Sequence, residues 1–237
     1  GSDMTESDSV KHLRAKGIPV AIGHNAENLG DCDFVIRTAA VHDGNPEIAG
    51  AIARGIPVYE RAQAWGALMR RYKNALCVSG THGKTTTTSM CTHIFMAAEQ
   101  DPTVMIGGTL PLLHSGYRVG RGDTIILESC EYCNSFLSFY PTVAVILNVE
   151  ADHLDFFKDL GDIQHSFRTF AELVPQETGY VVANYDNASA HTALNGLERP
   201  LFWFSLHSPE ADCHAEHISW TDGLPAFDIG IHGEVYA

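Results

Sequence analysis

The sequence is short of positive charge and has no long hydrophobic run. Its 15 lysines and arginines are outnumbered by 29 aspartates and glutamates, so the formal net charge at pH 7 is −14. A chain this acidic would repel the phosphates of a nucleic acid rather than neutralise them, which argues against a nucleic-acid partner. No apolar run approaches the roughly 18 to 20 residues that span a membrane, so we expect no membrane partner either.

The chain also lacks the cysteine spacing of a disulfide framework and the apolar start of a secretory leader. Its six cysteines are scattered, at Cys32, Cys77, Cys91, Cys130, Cys133 and Cys213. Scattered thiols are typical of proteins kept in a reducing cytosol. Residues 1–6 are polar and acidic, unlike the apolar core of a signal peptide. These features predict a cytoplasmic globular protein.

The most informative stretch that is present is a glycine-bracketed turn between an apolar run and a helical pattern. The run ends at Val78, and the stretch Gly80-Thr81-His82-Gly83-Lys84-Thr85-Thr86-Thr87 follows one residue later. Such a strand, turn and helix form a phosphate-binding loop, where backbone N–H groups and the helix N-terminus receive an anion. We expect Lys84 to reach the terminal phosphates of a nucleotide and Thr85 to be able to ligate Mg²⁺. A general P-loop would need glycine at Val78, so this is a shorter variant.

Helical patterns alternate with short apolar strands along the chain, which predicts an α/β fold with a parallel sheet. The predicted helices cover 8–16, 48–54 and 163–173, and the predicted strands cover 18–22, 33–36, 57–59, 76–78, 104–106, 124–127, 143–147 and 180–183. Strands dominate from residue 201 onward, with His232-Gly233 as a predicted hairpin turn. We place a domain boundary near residues 71–73.

Two predicted strands that follow the loop end in acidic residues. Glu128 comes directly after one strand, and the segment Asp152-His153-Leu154-Asp155 follows the next. Ligands of an open α/β sheet bind at the carboxyl ends of its strands, which makes Glu128 a candidate Mg²⁺ ligand. A solvated loop carboxylate is an equally good interpretation of Glu128 taken alone. His153 alone would be a surface or capping histidine, but beside the loop and Glu128 it is a candidate metal or phosphate contact.

Two cysteine patterns resemble parts of metal or redox sites. Cys130-x-x-Cys133 has no second pair at zinc spacing and does not open a helix of thioredoxin type. Cys213-His214-x-x-His217 is explained by alternating exposed residues of a strand. Neither pattern predicts zinc or redox chemistry.

Together these motifs resemble the Mur ligase family, the ATP-dependent ligases that assemble the peptide of peptidoglycan precursors. The resemblance covers nearly the whole chain and depends on three segments: the loop at 80–87, Glu-x-x-Glu-x-x-x-Ser-Phe-Leu at 128–137, and Asn-x-x-x-Asp-His-x-Asp at 148–155. The histidine at the third loop position resembles the loop of the branch of the family that adds alanine. Residues 1–3, 22–28 and 45–47 look like pieces of the family's uridine-diphosphate domain.

This resemblance implies a partial Rossmann-like domain over residues 1–72 and a P-loop-type central ATP-binding domain over residues 73–237. The second domain would have a mainly parallel sheet and a β-rich C-terminal end. The implied cofactors are ATP and Mg²⁺, and the implied substrates are UDP-N-acetylmuramate and L-alanine. The γ-phosphoryl group of ATP would pass to the muramoyl carboxylate, and the alanine amine would then displace phosphate.

The resemblance also implies roles for individual residues. Lys84, Glu128 and His153 would be catalytic. The residues that bind ATP would be Gly80, Thr81, His82, Gly83, Lys84, Thr85 and Thr86, and the metal ligands would be Thr85, Glu128, His153 and, with less support, Glu131. Asp3 and His24 would lie near the uridine, and Gly107 and Gly108 near the diphosphate or the muramoyl group.

The sequence departs from the family pattern at both ends and at one internal position. The family's first strand, Gly-rich turn and helix are expected before Gly1, and a third domain beyond Ala237. We therefore expect a chain that is incomplete at both ends and inactive in ligation as it stands. Arg168 stands where other branches carry a carbamylated lysine, which favours the alanine-adding branch.

Three alternatives stay open. A murein-peptide-recycling ligase shares the phosphate loop and is the nearest alternative enzyme. A folylpolyglutamate synthase is more distant, and the pieces of a uridine domain count against it. A nucleotide-binding remnant without turnover is the non-enzymatic alternative.

Overall fold

The computed structural model describes residues 1–236, and the chain divides into two compact units. The first unit covers Gly1–Trp65, and the second begins at Gly66. None of the helices in the described part of the chain combines the length and the apolar character that crossing a membrane requires.

The first unit contains two small parallel sheets and two capped helices. Strand β1 (Ser2–Asp3) pairs with β2 (Ala21–Ile22), and β3 (Val35–Arg37) pairs with β4 (Val58–Glu60). Helix α1 (Asp8–Ala15) is capped by the Ser7 side chain, and α2 (Pro46–Ala53) by the Asn45 side chain. Proline at the first position of α2 suits a helix start, because the N–H it lacks has no partner inside the helix. Val10, Ile48 and Ala51 form part of the buried interior.

The second unit is built on one ten-stranded sheet. Helix α3 (Arg61–Met69) leads into it. The strands are β5 (Asn74–Ser79), β6 (Thr103–Leu110), β7 (Ser115–Arg118), β8 (Thr124–Glu128), β9 (Val143–Ile146), β10 (Tyr180–Asn184), β11 (Leu201–Ser205), β12 (Cys213–Thr221), β13 (Leu224–Ile231) and β14 (Glu234–Tyr236). Their order in the sheet is β14-β13-β12-β11-β10-β9-β5-β8-β6-β7. Pairing is parallel from β6 to β12 across the sheet and antiparallel at both ends.

The central strands are buried because helices pack against the sheet. Ile125, Ile126 and Leu127 of β8 are at most 1% exposed, which is expected of parallel strands with both faces covered. The helices are α4 (Lys84–Ala97), α5 (Leu160–Glu172) and α6 (Ala188–Leu194). Phe170 of α5 stacks on Phe136 with ring centroids 4.5 Å apart. This architecture confirms the predicted α/β fold with a mainly parallel sheet and a β-rich C-terminal end.

Some predicted elements are shorter than expected, and some were missed. The predicted strand over 18–22 is reduced to Ala21–Ile22. Ile18 donates its N–H to Leu13 and so completes the end of α1, and Pro19 has no N–H to give to a ladder. Helix α6 and strand β7 were not predicted. The hairpin turn at His232-Gly233 is confirmed: both residues have positive φ, 51° and 82°, between β13 and β14.

Candidate active site

The predicted phosphate loop, residues 80–86, connects β5 to α4 at the carboxyl edge of the sheet. Gly80 has a φ of 141° and Gly83 a φ of 82°, values that side chains rarely tolerate. A Cβ on Gly80 would lie 3.0 Å from Leu147 Cβ and 3.2 Å from the Asn148 nitrogen. Both conformation and close packing therefore require glycine at position 80.

The first turn of α4 presents backbone donors that no side chain caps. Gly83 occupies the cap position without a side-chain hydrogen bond, and the first turn contains no acidic residue. The first N–H groups of any helix have no carbonyl partner within the helix. With the positive end of the helix dipole, these donors form an arrangement that suits the phosphates of ATP.

Lys84 is folded over the loop and paired with a buried carboxylate. Its Nζ donates to the carbonyl oxygens of Gly80 (2.5 Å) and Thr81 (3.0 Å) and to Glu131 Oε2 (3.0 Å). The exposed fraction of the side chain is 14% for Lys84 and 3% for Glu131. The lysine charge therefore lies in the loop and is already compensated by the protein.

Glu128 is held by the loop threonine and by a glycine of the neighbouring strand. Its Oε1 accepts the Thr85 hydroxyl at 2.9 Å, and its Oε2 accepts the Gly107 N–H at 2.7 Å. A Cβ on Gly107 would lie 2.7 Å from Glu128 Oε1, so a side chain there would displace the carboxylate. Gly107, predicted to contact substrate, contacts Glu128. A Cβ on Gly108 would touch the Thr85 methyl group at 3.4 Å.

The chemistry of the Thr85–Glu128 pair suits Mg²⁺. Hydroxyl and carboxylate oxygens are the hard ligands that this ion prefers, at 2.0–2.1 Å in an octahedron. Adjacent ligands at that radius are about 2.9 Å apart, and the Thr85 and Glu128 oxygens are separated by 2.9 Å. Within residues 1–236, no group of three or more His, Cys, Asp or Glu side chains is placed to hold a metal. The chain thus offers a partial ligand set of the kind that nucleotide phosphates and water complete.

His153 lies on the other side of Glu131. Its Nε2 is 3.9 Å from Glu131 Oε1, and its ring centroid is 4.7 Å from that of Tyr132. The backbone of His153 is left-handed, with a φ of 51°, and its N–H donates to Asp152 Oδ1 at 2.7 Å. A hydrogen bond to Asp155 raises the pKa of the Tyr132 phenol. The structure therefore brings Lys84, Glu131 and His153 together as one group, and Thr85, Glu128 and Gly107 as another.

The remaining predicted site residues, Asp3 and His24, belong to the first unit. Asp3 is exposed at the end of β1 and accepts the Thr5 N–H at 3.0 Å. His24 Nδ1 lies 3.1 Å from the Ser2 hydroxyl. The Arg168 side chain donates to the carbonyl oxygens of Asn195 and Gly196, which ties α5 to the end of α6.

Sequence reasoning named Glu47 only as part of the segment 45–47 and gave it no contacts, yet its carboxylate joins several polar groups of the first unit. Its carboxylate accepts the Ser2 hydroxyl and the Asn28 amide, both at 2.6 Å, and lies 3.7 Å from His24 Nδ1. Burial acts to raise the pKa of Glu47, but the hydrogen bonds from Ser2 and Asn28 outweigh it and the net pKa is lowered. Position 47 follows a capping Asn-Pro pair, which predicts the start of a helix. That pattern does not indicate that the Glu47 side chain would contact Ser2, Asn28 and His24.

Comparison with known proteins agrees with this architecture. The family model described as "Mur ligase middle domain" matches residues 78–230, and the one described as "Mur ligase family, catalytic domain" matches residues 1–73. The UDP-N-acetylmuramate–L-alanine ligase of Clostridium novyi is 44% identical over 97% of this chain and 49% of its own length. That of Caldicellulosiruptor saccharolyticus is 44% identical over 97% of this chain and 50% of its own length.

Solved structures give the same result. The UDP-N-acetylmuramate-alanine ligase of Thermotoga maritima superposes with a TM-score of 0.82 at 28% identity, over 100% of this chain and 53% of its own. The UDP-N-acetylmuramate:L-alanyl-gamma-D-glutamyl-meso-diaminopimelate ligase of Neisseria meningitides gives a TM-score of 0.87 at 26% identity, over 99% of this chain and 76% of its own. The chain spans about half the length of the curated relatives it matches. Since the middle-domain model alone matches more than half of its residues, the chain belongs to the Mur ligase family.

Proposed function

We propose that this chain is part of an ATP-dependent ligase that joins L-alanine to the carboxylate of UDP-N-acetylmuramate. The observation that supports it best is the arrangement at the sheet edge, where the loop lysine, the uncapped helix start and the Thr85–Glu128 oxygens converge. These groups suit phosphoryl transfer. The substrates come from the names of the alanine-adding relatives, which are 44% identical to this chain.

The proposed reaction has two steps. A carboxylate oxygen of the muramoyl group attacks the γ-phosphorus of ATP, the bond to ADP breaks, and an acyl phosphate forms. The alanine amine then attacks the acyl carbon, phosphate leaves, and the nitrogen loses a proton. Both steps depend mainly on positioning and on compensation of phosphate charge.

Each group of the site has a role in this proposal. Lys84 would exchange its loop carbonyls for the terminal phosphates, and the first N–H groups of α4 would hold the phosphate chain. Thr85 and Glu128 would hold Mg²⁺, which when bound neutralises phosphate charge. Glu131 would keep Lys84 oriented, and His153 would contact a second metal or the transferring phosphoryl group.

The domains have separate roles in the proposal. Residues 1–72 would bind the sugar nucleotide, with Asp3 and His24 near the uridine, and residues 73–237 would bind ATP. Gly107 and Gly108, which lie beside Glu128 and Thr85, would approach the muramoyl group or the diphosphate. The proposed location is the cytoplasm, which agrees with the scattered cysteines.

A murein-peptide-recycling ligase is the second candidate. It is favoured by the Neisseria neighbour, whose fold matches with a TM-score of 0.87. The two candidates share ATP and the sugar nucleotide and differ in the amine that attacks. Competition between L-alanine and a tripeptide that begins with L-alanine therefore distinguishes them.

The test is phosphate release by the protein encoded in the complete reading frame that contains these residues. UDP-N-acetylmuramate, Mg²⁺ and ATP are supplied with alanine, serine, glycine or the tripeptide, and products are identified by mass. We expect release with alanine and a product heavier by one alanyl residue. In Lys84→Ala the rate should fall by about 10²–10³, as when one transition-state donor is lost. Release with the tripeptide alone would replace the first candidate with the second, and an unaffected Lys84 variant would contradict both.

A further inference from the structure

The strand next to the phosphate loop continues past its last ladder residue and runs along the loop. After β9 ends at Ile146, Leu147 still donates its N–H to Ser79 at 3.0 Å. In the following residues, 148–150, Asn148 and Glu150 bind the loop, and Val149 donates its N–H to Asn187 Oδ1 at 3.3 Å. We call residues 148–150 the clasp segment. It leads directly to the Asp152-His153 pair.

Asn148 makes a two-point contact with the backbone of His82. Its Oδ1 accepts the His82 N–H at 2.7 Å, and its Nδ2 donates to the His82 carbonyl oxygen at 3.1 Å. A backbone N–H can only donate and a carbonyl can only accept, so the partners themselves fix the orientation of the amide. Aspartate could make the first contact but has no donor for the second.

The rest of the clasp segment holds the neighbouring loop residue. The Thr81 N–H donates to the Asn148 carbonyl oxygen at 3.1 Å, and the Glu150 N–H donates to the Thr81 hydroxyl at 2.9 Å. Gly80 packs closely on the segment, because a Cβ there would lie 3.2 Å from the Asn148 nitrogen and 3.3 Å from its carbonyl oxygen. Three successive loop residues are therefore fixed from the same side.

This arrangement divides the donors of the loop into two sets. The N–H groups of Thr81 and His82 are bonded to Asn148 and are not offered to an anion. The donors left for phosphate are the N–H groups at the start of α4 and the Lys84 ammonium. Their common orientation depends on how the preceding turn is held, because a binding site gains affinity when its groups need no reordering.

We propose that Asn148 is a positioning residue for the nucleotide phosphates: it holds the loop at His82 so that the α4 donors and Lys84 converge on one anion. This inference rests on the proposed function, since it assumes that the loop binds ATP. Removing the amide should weaken Mg·ATP binding about 10- to 100-fold, as expected for two lost hydrogen bonds and a loosened loop. It should leave the affinity for adenosine, which carries no phosphate, unchanged.

The experiment measures Kd by titration calorimetry for Mg·ATP and for adenosine with the protein encoded in the complete reading frame that contains these residues. The variants are Asn148→Ala and Asn148→Asp, and the second serves if the first does not fold. Asn74→Ala is the matched control, because it removes an asparagine amide at the other end of β5, where Nδ2 reaches Thr124 Oγ1 at 3.4 Å. The losses of Mg·ATP affinity in Asn148→Ala and in Lys84→Met should also be non-additive when the two substitutions are combined. Both substitutions affect the same group of phosphate donors.

The outcomes distinguish a failure of this inference from a failure of the proposed function. If this protein without substitutions does not bind Mg·ATP, the proposed function fails and the inference fails with it. If the chain binds and the folded Asn148 variants bind Mg·ATP within about twofold of it, the inference alone is overturned. Equal losses for Mg·ATP and adenosine, or a similar loss in Asn74→Ala, would show a general structural effect and would also overturn it.

Discussion

Two glutamates three positions apart have different surroundings in this site. Glu128 contacts the Thr85 hydroxyl and the Gly107 N–H, whereas Glu131 is nearly buried against Lys84. Both were predicted as metal ligands. The contacts of Glu128 suit that role, whereas the Glu131 carboxylate is paired with the Lys84 ammonium. Removing one partner of a buried pair typically costs about 3–5 kcal/mol.

This difference predicts opposite behaviour for two single-residue variants. Glu128→Gln should raise the Mg²⁺ concentration needed for half-maximal ATP binding, with a small change in the unfolding midpoint. Glu131→Gln should lower the unfolding midpoint and leave the Mg²⁺ requirement nearly unchanged. The measurements are Mg²⁺ titrations at fixed ATP and thermal unfolding, with Glu172→Gln on α5 as the control. A Mg²⁺ requirement that moves only in Glu131→Gln would reverse the assignment.

The cysteines are expected to differ sharply in reactivity. Cys77 is fully buried in β5, and burial raises the pKa of its thiol to about 12 despite a hydrogen bond with Ser129. Cys133 is exposed. Since the thiolate is the reacting form, iodoacetamide at pH 8 should modify Cys133 and leave Cys77 unmodified until the chain is unfolded. Desolvation also raises the pKa of Cys130, so Cys130 should react more slowly than Cys133. Peptide mass analysis of native and denatured samples checks the order in which the cysteines react. Labelling of Cys77 before the chain unfolds would contradict its burial.

Glu47 makes the stability of the first unit depend on pH. Its pKa is lowered in the folded state from a reference value of 4.5, so the folded state favours the charged carboxylate. The stabilisation is therefore present above pH 4.5 and is lost as the pH falls through the lower folded value. Unfolding midpoints of the chain and of Glu47→Gln should differ most at pH 6–7, and the difference should shrink as the pH falls below 4.5. A difference between the two unfolding midpoints that grows as the pH falls would contradict the predicted direction of the pH dependence.

The residues of the loop could be predicted from sequence, but most of their partners could not. Gly80, Gly83, Lys84 and Thr85 follow a local pattern whose spacing carries its own chemistry. The contact between His82 and Asn148 joins residues 66 positions apart, and no spacing rule reveals it. Only the pairing of β5 with β9 brings those positions together.

At the scale of elements, apolar runs and caps were reliable guides. Strand β9 is an uninterrupted apolar run, β8 has the apolar centre 125–127, and α2 begins at the Asn45-Pro46 signal, as predicted. Helix α6 was missed because its seven residues contain few large apolar side chains. Its start depends on Asn187, whose side chain accepts the Ala190 N–H at 2.8 Å, and a lone asparagine is equally typical of a turn.

Helix α3 provides a test in which packing reverses an intrinsic preference. Alanine normally stabilises a helix interior by about 1 kcal/mol relative to glycine. At Gly66, however, a Cβ would lie 2.0 Å from the Ser138 carbonyl oxygen, so Gly66→Ala should destabilise the second unit by about 1–3 kcal/mol. Chemical denaturation measures the change. Gly44→Ala is the control, because nothing lies within 4 Å of a Cβ there. A gain in stability at Gly66 would show that the helix can move away from Ser138.

At the scale of the whole molecule, the net charge of −14 contrasts with the local arrangement that would receive a polyphosphate. The contrast is resolved locally, since helix dipoles, backbone N–H groups and one lysine act within a few ångströms, while distant surface charges are screened at physiological salt. An acidic chain can therefore hold ATP with Mg²⁺ and still repel nucleic acid, whose binding requires many phosphate contacts over an extended surface.

A polypeptide of these 237 residues is expected to bind Mg·ATP without ligating alanine to UDP-N-acetylmuramate. The groups proposed to handle the γ-phosphate lie within residues 80–153, so binding depends on contacts that this chain contains. The alanine-adding relatives have about as many residues again outside the matched part, and joining an amine to an acyl phosphate requires both to be held in place. Such positioning contributes up to roughly 7–11 kcal/mol, which the loop alone cannot replace. The measurement supplies ATP, Mg²⁺, alanine and the sugar nucleotide and searches for the product by mass, with calorimetry as the binding control. Product above the level without protein would show that these residues suffice for positioning both substrates.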